Sequence, residues 1–268
     1  MLPNTGSKKI GFAIAIAFVA LSCLDVHAQY SPPASGLVSW WRGDGNANDS
    51  ADGNNGTALN GAGYVPGVFG QAFSFDGSDD HVRVPDAANL RITSALTVSA
   101  WVYPKSHGSF DEIISKWDAI VPSSNQRAYT FKIDPSAKAV LSLSADGTPA
   151  QVSATSASNI PLNMWTHLAA TYDGTLMKVY VNGVLDGQQA YSGGIYGGLA
   201  ELGIGGVVGS VPSGGGISFF HGSIDEALIY NRALDSSEIL SIAPVPEPTF
   251  ASLLLSSIAP LFFRRKKN

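Results

Sequence analysis

Apolar and polar side chains alternate in short runs through the middle of this 268-residue chain. In Leu96-Thr97-Val98-Ser99-Ala100-Trp101-Val102, residues Leu96, Val98, Ala100 and Val102 share one face of an extended strand. The same period of two recurs at Tyr129 to Ile133, Ala139 to Leu143, Thr166 to Tyr172, Met177 to Val181 and Ile224 to Tyr230, with a shorter strand from Glu201 to Ile204. Asp173-Gly174 and Asn182-Gly183 fall between such runs and supply the positive φ angles that tight hairpins demand. Helical patterning inside this region is confined to Asp235-Ser236-Ser237-Glu238-Ile239-Leu240, where an acidic cap and a glutamate three residues on predict one short helix. Many short antiparallel strands and almost no helix predict an all-β, two-sheet antiparallel sandwich of the jelly-roll kind. No fixed-period repeat divides the roughly 215 central residues, so one domain accounts for them.

The two ends follow different patterns. Lys8-Lys9 precede an apolar segment from Ile10 to Leu24, and Val26-His27-Ala28 places small residues where signal peptidase needs them. Residues 1–28 thus read as a signal peptide cut after Ala28. The alternative, lipoprotein processing at Cys23, is opposed by Ala20-Leu21-Ser22, in which the leucine sits one position too late. A short linker, 29–35, leads into the domain at 36–242. At the other end Pro246-Glu247-Pro248 forms a turn no helix crosses, an apolar run continues from Phe250 to Phe263, and Arg264-Arg265-Lys266-Lys267 ends it. The fourteen residues of this run make a helix of about 21 Å, short for a permanent span. This order of parts over 243–268 resembles the PEP-CTERM sorting signal of Gram-negative bacteria. The resemblance implies transient anchoring in the inner membrane through a C-terminal hydrophobic sorting helix, cleavage by exosortase near the Pro-Glu-Pro motif, and delivery to the cell surface or extracellular matrix.

Processing changes the charge. Loss of both ends removes six of 16 basic residues but only Asp25 and Glu247 of the 21 acids, so the domain carries about nine net negative charges. Nucleic acid is excluded as a partner, since phosphate recognition needs clustered Lys and Arg. Cys23 is the only cysteine and leaves with the signal peptide, so the mature domain has no disulfide and no thiol nucleophile.

Several segments carry a family resemblance in order: Gly36-Leu37-Val38-Ser39-Trp40-Trp41 with Arg42-Gly43-Asp44-Gly45-Asn46, then Phe73-Ser74-Phe75-Asp76-Gly77, Trp165-Thr166-His167-Leu168, Val179-Tyr180-Val181-Asn182-Gly183, and Gly222-Ser223-Ile224-Asp225-Glu226-Ala227. Together they resemble the LamG-like jelly-roll family of the concanavalin A-like lectin and glucanase fold. That resemblance implies a binding or structural module, often with one Ca²⁺ tying the first and last strands. It points to Asp44, Asp76 and Asp225 as metal ligands. The loop from Asp44 to Asp52 is dense in hard oxygen donors that suit calcium, although Asp49 and Asn55 stand where an EF-hand has its glycine and glutamate. The plainer reading of these residues is turn formation.

Catalytic patterns are missing from the sequence. A glucanase dyad needs carboxylates two apart on one strand, and no predicted strand has them. Asp225 and Glu226 are adjacent and are expected on opposite faces, which makes Glu226 a solvated or edge salt-bridge residue. Asp111 or Glu112 meeting Asp118 from separate loops keeps hydrolysis open as an alternative. The domain is otherwise expected to be non-catalytic and to bind polysaccharide or a surface protein, or to serve as a purely structural matrix protein. Trp101 and Trp165 lie in strand patterns and read as core, whereas Trp117, between Lys116 and Asp118, is the candidate for stacking on a sugar ring.

Overall fold

The computed structural model describes residues 30–118, 125–208 and 219–244. The signal peptide with Cys23, the sorting residues Pro246, Glu247, Pro248, Arg264 and Arg265, and much of the glycine-rich loop lie outside these residues. Among the described residues no helix is long and apolar enough to cross a membrane. The chain divides into two units, Met1–Tyr30 and Ser31–Asn268, and the second holds the sandwich.

Eight strands form one sheet: β1 (Leu37–Trp41), β3 (Gly63–Pro66), β4 (Gln71–Asp76), β6 (Leu96–Pro104), β11 (Thr166–Tyr172), β12 (Leu176–Val181), β13 (Val184–Ala190) and β15 (His221–Tyr230). Seven form the other: β2 (Thr57–Leu59), β5 (His81–Val84), β7 (Asp111–Asp118), β8 (Gln126–Ile133), β9 (Ala139–Leu143), β10 (Val152–Thr155) and β14 (Leu202–Ile204). The first sheet runs β13-β12-β11-β6-β15-β4-β3, with β1 also on β15, and the second runs β10-β9-β8-β7-β14-β5-β2. Alternation decides which side chains meet between the sheets. Leu96, Val98, Ala100 and Val102 pack inward with Phe73, Phe75, Leu168 and Ala170, against Phe131, Leu141, Leu143, Leu202 and Ile204 of the facing sheet.

The expected hairpin between β12 and β13 turns on Asn182 and Gly183, at φ 50° and 78°. The expected helix is α1 (Ser236–Ser241), where Asp235 accepts from the Ser237 and Glu238 amides and Glu238 reaches back to the Asp235 amide at 3.1 Å. Strand β7 is missing from the alternation because it buries Glu112, Ser115 and Lys116. The Lys116 ammonium is held 2.6 Å from Asp86, and its burial is compensated by that charge.

Trp101 is 4% exposed but belongs to the outer face of the larger sheet, where its ring meets His167 at 5.4 Å. His167 bonds Ser99 at 2.8 Å, and burial takes the imidazole down to about 3, so it is neutral at physiological pH. Trp165 precedes β11 and is only half-buried, which corrects the expectation that it is core.

Position between the sheets sets the cost of truncation. Phe131→Ala is expected to lower the unfolding free energy by about 3–5 kcal/mol in urea titration. Val184→Ala, at a side chain 66% exposed on edge strand β13, is expected to stay within about 0.5 kcal/mol. Equal costs would show that β13 packs as a core strand.

Candidate functional site

Strand β15 is served along one edge by two strands in succession. β4 pairs with His221 to Ile224, β1 pairs with Ala227 to Tyr230, and β6 runs along the other edge. At the hand-over the register with β6 shifts between Asp225 and Leu228, forming a β-bulge. Glu226 there adopts φ 52°, a left-handed conformation that costs of order 1–3 kcal/mol for a residue other than glycine.

The bulge overturns the expectation of opposite faces. Both Asp225 and Glu226 are fully buried, and Glu226 is not solvated. Asp225 Oδ2 accepts the Val68 and Phe69 amides at 2.7 and 3.0 Å, while Oδ1 is buried without a hydrogen-bond partner. Glu226 Oε2 accepts from the Trp40 indole, and Oε1 is likewise unpartnered, 3.9 Å from Arg42 Nε. Arg42 also holds Asp44 at 3.1 Å, and Asp44 Oδ1 accepts the Gln71 amide at 2.8 Å. Asp44 lies close enough for its charge to act on both Asp225 and Glu226, and Arg42 stands between it and Glu226.

The turn joining β3 to β4 closes over these carboxylates and needs its glycines. A Cβ on Gly67 would stand 2.5 Å from Asp225 Oδ2, and one on Gly70, at φ 67°, would stand 2.2 Å from Asp44 Oδ1. This turn was not singled out from the sequence, where Pro66-Gly67 and Gly70 were its signal.

Burial raises Asp225 to about 7, against the lowering effect of its backbone donors, and the Asp44 charge adds to the rise. Glu226 is raised to about 8, first by burial and then by the neighbouring Asp225. Two orphaned carboxylate oxygens in a dry site are what a hard cation satisfies. With all three acids ionised and Arg42 positive the cluster carries two negative charges, matching a divalent ion. Asp44, Asp225 and Glu226 offer the hard oxygens and net charge that suit Ca²⁺, although their ligand atoms do not converge within 4.8 Å as those of Asp76, Asp79 and Asp80 do.

Asp76 does not join them. It pairs with His221, four residues back along β15 from Asp225, or about 13 Å at a strand's rise. It groups instead with Asp79 and Asp80, whose carboxylates approach its own within 4.8 Å. The oxygen-rich loop is largely spent on its own backbone: Asp49 accepts the amides of Trp40, Ala51, Asp52 and Asn54. Trp117 is 8% exposed, with Arg127 6.0 Å from its ring, which leaves little face for stacking. Glu112 is buried beneath a hydrogen bond from Thr130, with Lys132 at 3.9 Å, and burial raises it to about 7.

A family model described as the concanavalin A-like lectin/glucanases superfamily matches residues 76–240. The chain belongs to that superfamily. No match is found among curated proteins. Among solved structures, this superfamily member is similar to domain 4 of AbnA, a GH43 extracellular arabinanase from Geobacillus stearothermophilus, in complex with arabinotriose. Identity is 24%, coverage is 78% of this chain and 98% of that one, and the TM-score is 0.61. It is also similar to the binding domain of Paraclostridial Mosquitocidal Protein 1 (15% identity, 78% and 52% coverage, TM-score 0.63). A third is botulinum neurotoxin type C, in a structure whose subject is cell entry dependent on two ganglioside molecules (17% identity, 81% and 52% coverage, TM-score 0.59). The chain spans about half the length of both toxin chains, and at these identities the likeness is one of fold.

The two raised acids set a pH dependence. They bind protons in the folded state that the unfolded chain releases, so their contribution is full below about pH 4 and is lost as pH rises through 7 to 8. With chelator present, the unfolding midpoint is expected to fall between pH 5.5 and 8.5. Asp225→Asn, which keeps an acceptor for the Val68 and Phe69 amides, is expected to flatten that slope. An unchanged slope would assign it to other groups. Gly70→Ala is expected to destabilise more than Gly53→Ala, since a Cβ at Gly53 meets nothing within 4 Å although both have positive φ.

Proposed function

We propose that this chain is an exported, non-catalytic module that binds polysaccharide at the cell surface or in the extracellular matrix, with Ca²⁺ held by Asp44, Asp225 and Glu226. The observation that carries this reading is the pair of unpartnered, fully buried oxygens Asp225 Oδ1 and Glu226 Oε1. Strongly shifted carboxylates are ordinarily the first candidates for acid–base work. Here both are fully buried, Asp225 under Gly67 and Glu226 against the Trp40 indole, out of a substrate's reach, and their chemistry suits a structural cation that joins β1 to β15. Calcium at extracellular concentrations agrees with export through the signal peptide and exosortase-type tail, after transient anchoring in the inner membrane. Glycan as ligand is supported by the arabinotriose and ganglioside named for similarly folded structures.

A hydrolase remains the second reading, favoured by Glu112, whose pKa near 7 is that of a general acid. Assay of arabinan and β-glucan for new reducing ends separates the two. None are expected, and turnover abolished by Glu112→Gln would establish the enzyme instead.

Calcium at a hundredfold its dissociation constant adds about 2.7 kcal/mol to a state that alone binds it. The midpoint of the parent is expected to rise with excess Ca²⁺ over chelator, and that of Asp225→Ala to ignore it. A parent indifferent to calcium removes the metal from this reading.

A further inference from the structure

A second polar site stands at the far end of β15. His221 faces Asp76 across β4, and its carbonyl accepts the Lys105 amide at 2.8 Å, so the three side chains form a row on the outer face of the larger sheet. They border an open cavity of about 310 Å³ whose floor is kept low by Gly61 and Gly63 and whose wall includes the Tyr64 ring. Asp76 spends Oδ1 on the Ser78 amide at 2.7 Å and is exposed, as is Lys105. The imidazole of His221 is oriented by Ser106 at 2.8 Å.

Two residues along each strand, and so on the same face, a parallel row runs Gly63, Ser74, Ser223, Tyr103 through paired registers. Trp165 ends it, its ring 5.5 Å from that of Tyr103 and both half-buried. Five positions at a strand spacing of about 4.8 Å span about 19 Å. The strip thus sets small hydroxyls, the Asp76 and Asp80 carboxylates, the Lys105 ammonium and the His221 imidazole beside two aromatic rings. Rings offer faces to the C–H side of a sugar, while mixed donors and acceptors serve its hydroxyls. Carboxylates outnumber the one ammonium here, which disfavours an acidic polymer.

We infer that this strip, from the Asp76–His221–Lys105 row to Tyr103 and Trp165, is the binding site for an extended neutral glycan. The inference rests on the polysaccharide-binding reading and gives it a location, on the other sheet from Trp117 and with its Ser223 row two residues along β15 from Asp225.

The test is affinity electrophoresis of the purified full-length chain through gels containing arabinan, laminarin or xyloglucan, with alginate as the acidic comparison. Retardation by at least one neutral polymer is expected, weakened about tenfold by Trp165→Ala and by Asp76→Asn. The second variant retains an acceptor for the Ser78 amide, so a folding defect in the first does not decide the outcome. Retardation that survives both substitutions overturns this location while leaving glycan binding standing. Retardation by alginate alone overturns the neutral class, and no retardation of the parent in any gel overturns glycan binding itself.

Discussion

Everything in the larger sheet depends on how β15 shares its edge. A strand has one row of hydrogen-bonding groups on each side, and β15 must satisfy β4 and β1 from the same row before and after a single bulge. Two strands cannot abut end to end without a gap, and the gap falls at Asp225 and Glu226. The chain leaves β1 through Arg42 to Asp44 and enters β4 from Gly67 to Gly70 at this place, so the loops that bring in Asp44 and the Val68 and Phe69 amides meet there by topology. Left-handed backbone at Glu226 is the local cost of carrying β15 across.

Charge is distributed unevenly in consequence. The hand-over gathers two fully buried acids, Asp225 and Glu226, beneath the partly exposed Arg42 and Asp44, and burial pushes the two buried acids toward neutrality. An ion would reverse that tendency by favouring the charged forms, coupling metal uptake to proton release. Beside the opposite end of β15, on β4, Asp76 is exposed. Asp76 closes β4 and Asp225 lies on β15, so the two acidic regions belong to neighbouring strands.

Much of the architecture was legible because burial on one face of a strand leaves a period-two record, as at Leu96 to Val102 and Thr166 to Tyr172. That record fails where both faces are covered: β7, with Glu112, Ser115 and Lys116 buried, reads as polar loop, and Trp117 at its end therefore seemed available. Alternation also cannot register a bulge, which is why Glu226 was assigned to the wrong side. Asp44, Asp76 and Asp225 were named together through family resemblance; Asp76 stands apart from Asp225 and beside Asp79 and Asp80, a separation set by a register that spacing in sequence does not reveal. The Gly67 to Gly70 turn carried a signal, paired glycines beside a proline, without any indication of what it would enclose.

Leu37 lies directly opposite Tyr230, so the backbone enters and leaves the sandwich side by side, a placement reinforced by the Asn231 amide on the Gly36 carbonyl at 2.9 Å. From Tyr230 back to His221 the strand covers about 30 Å. A molecule tethered by either end, or fused on both sides to neighbouring chain, consequently stands on one pole and presents the opposite pole outward. Orientation toward the surroundings is built into the first strand pairing, with no hinge or spacer required.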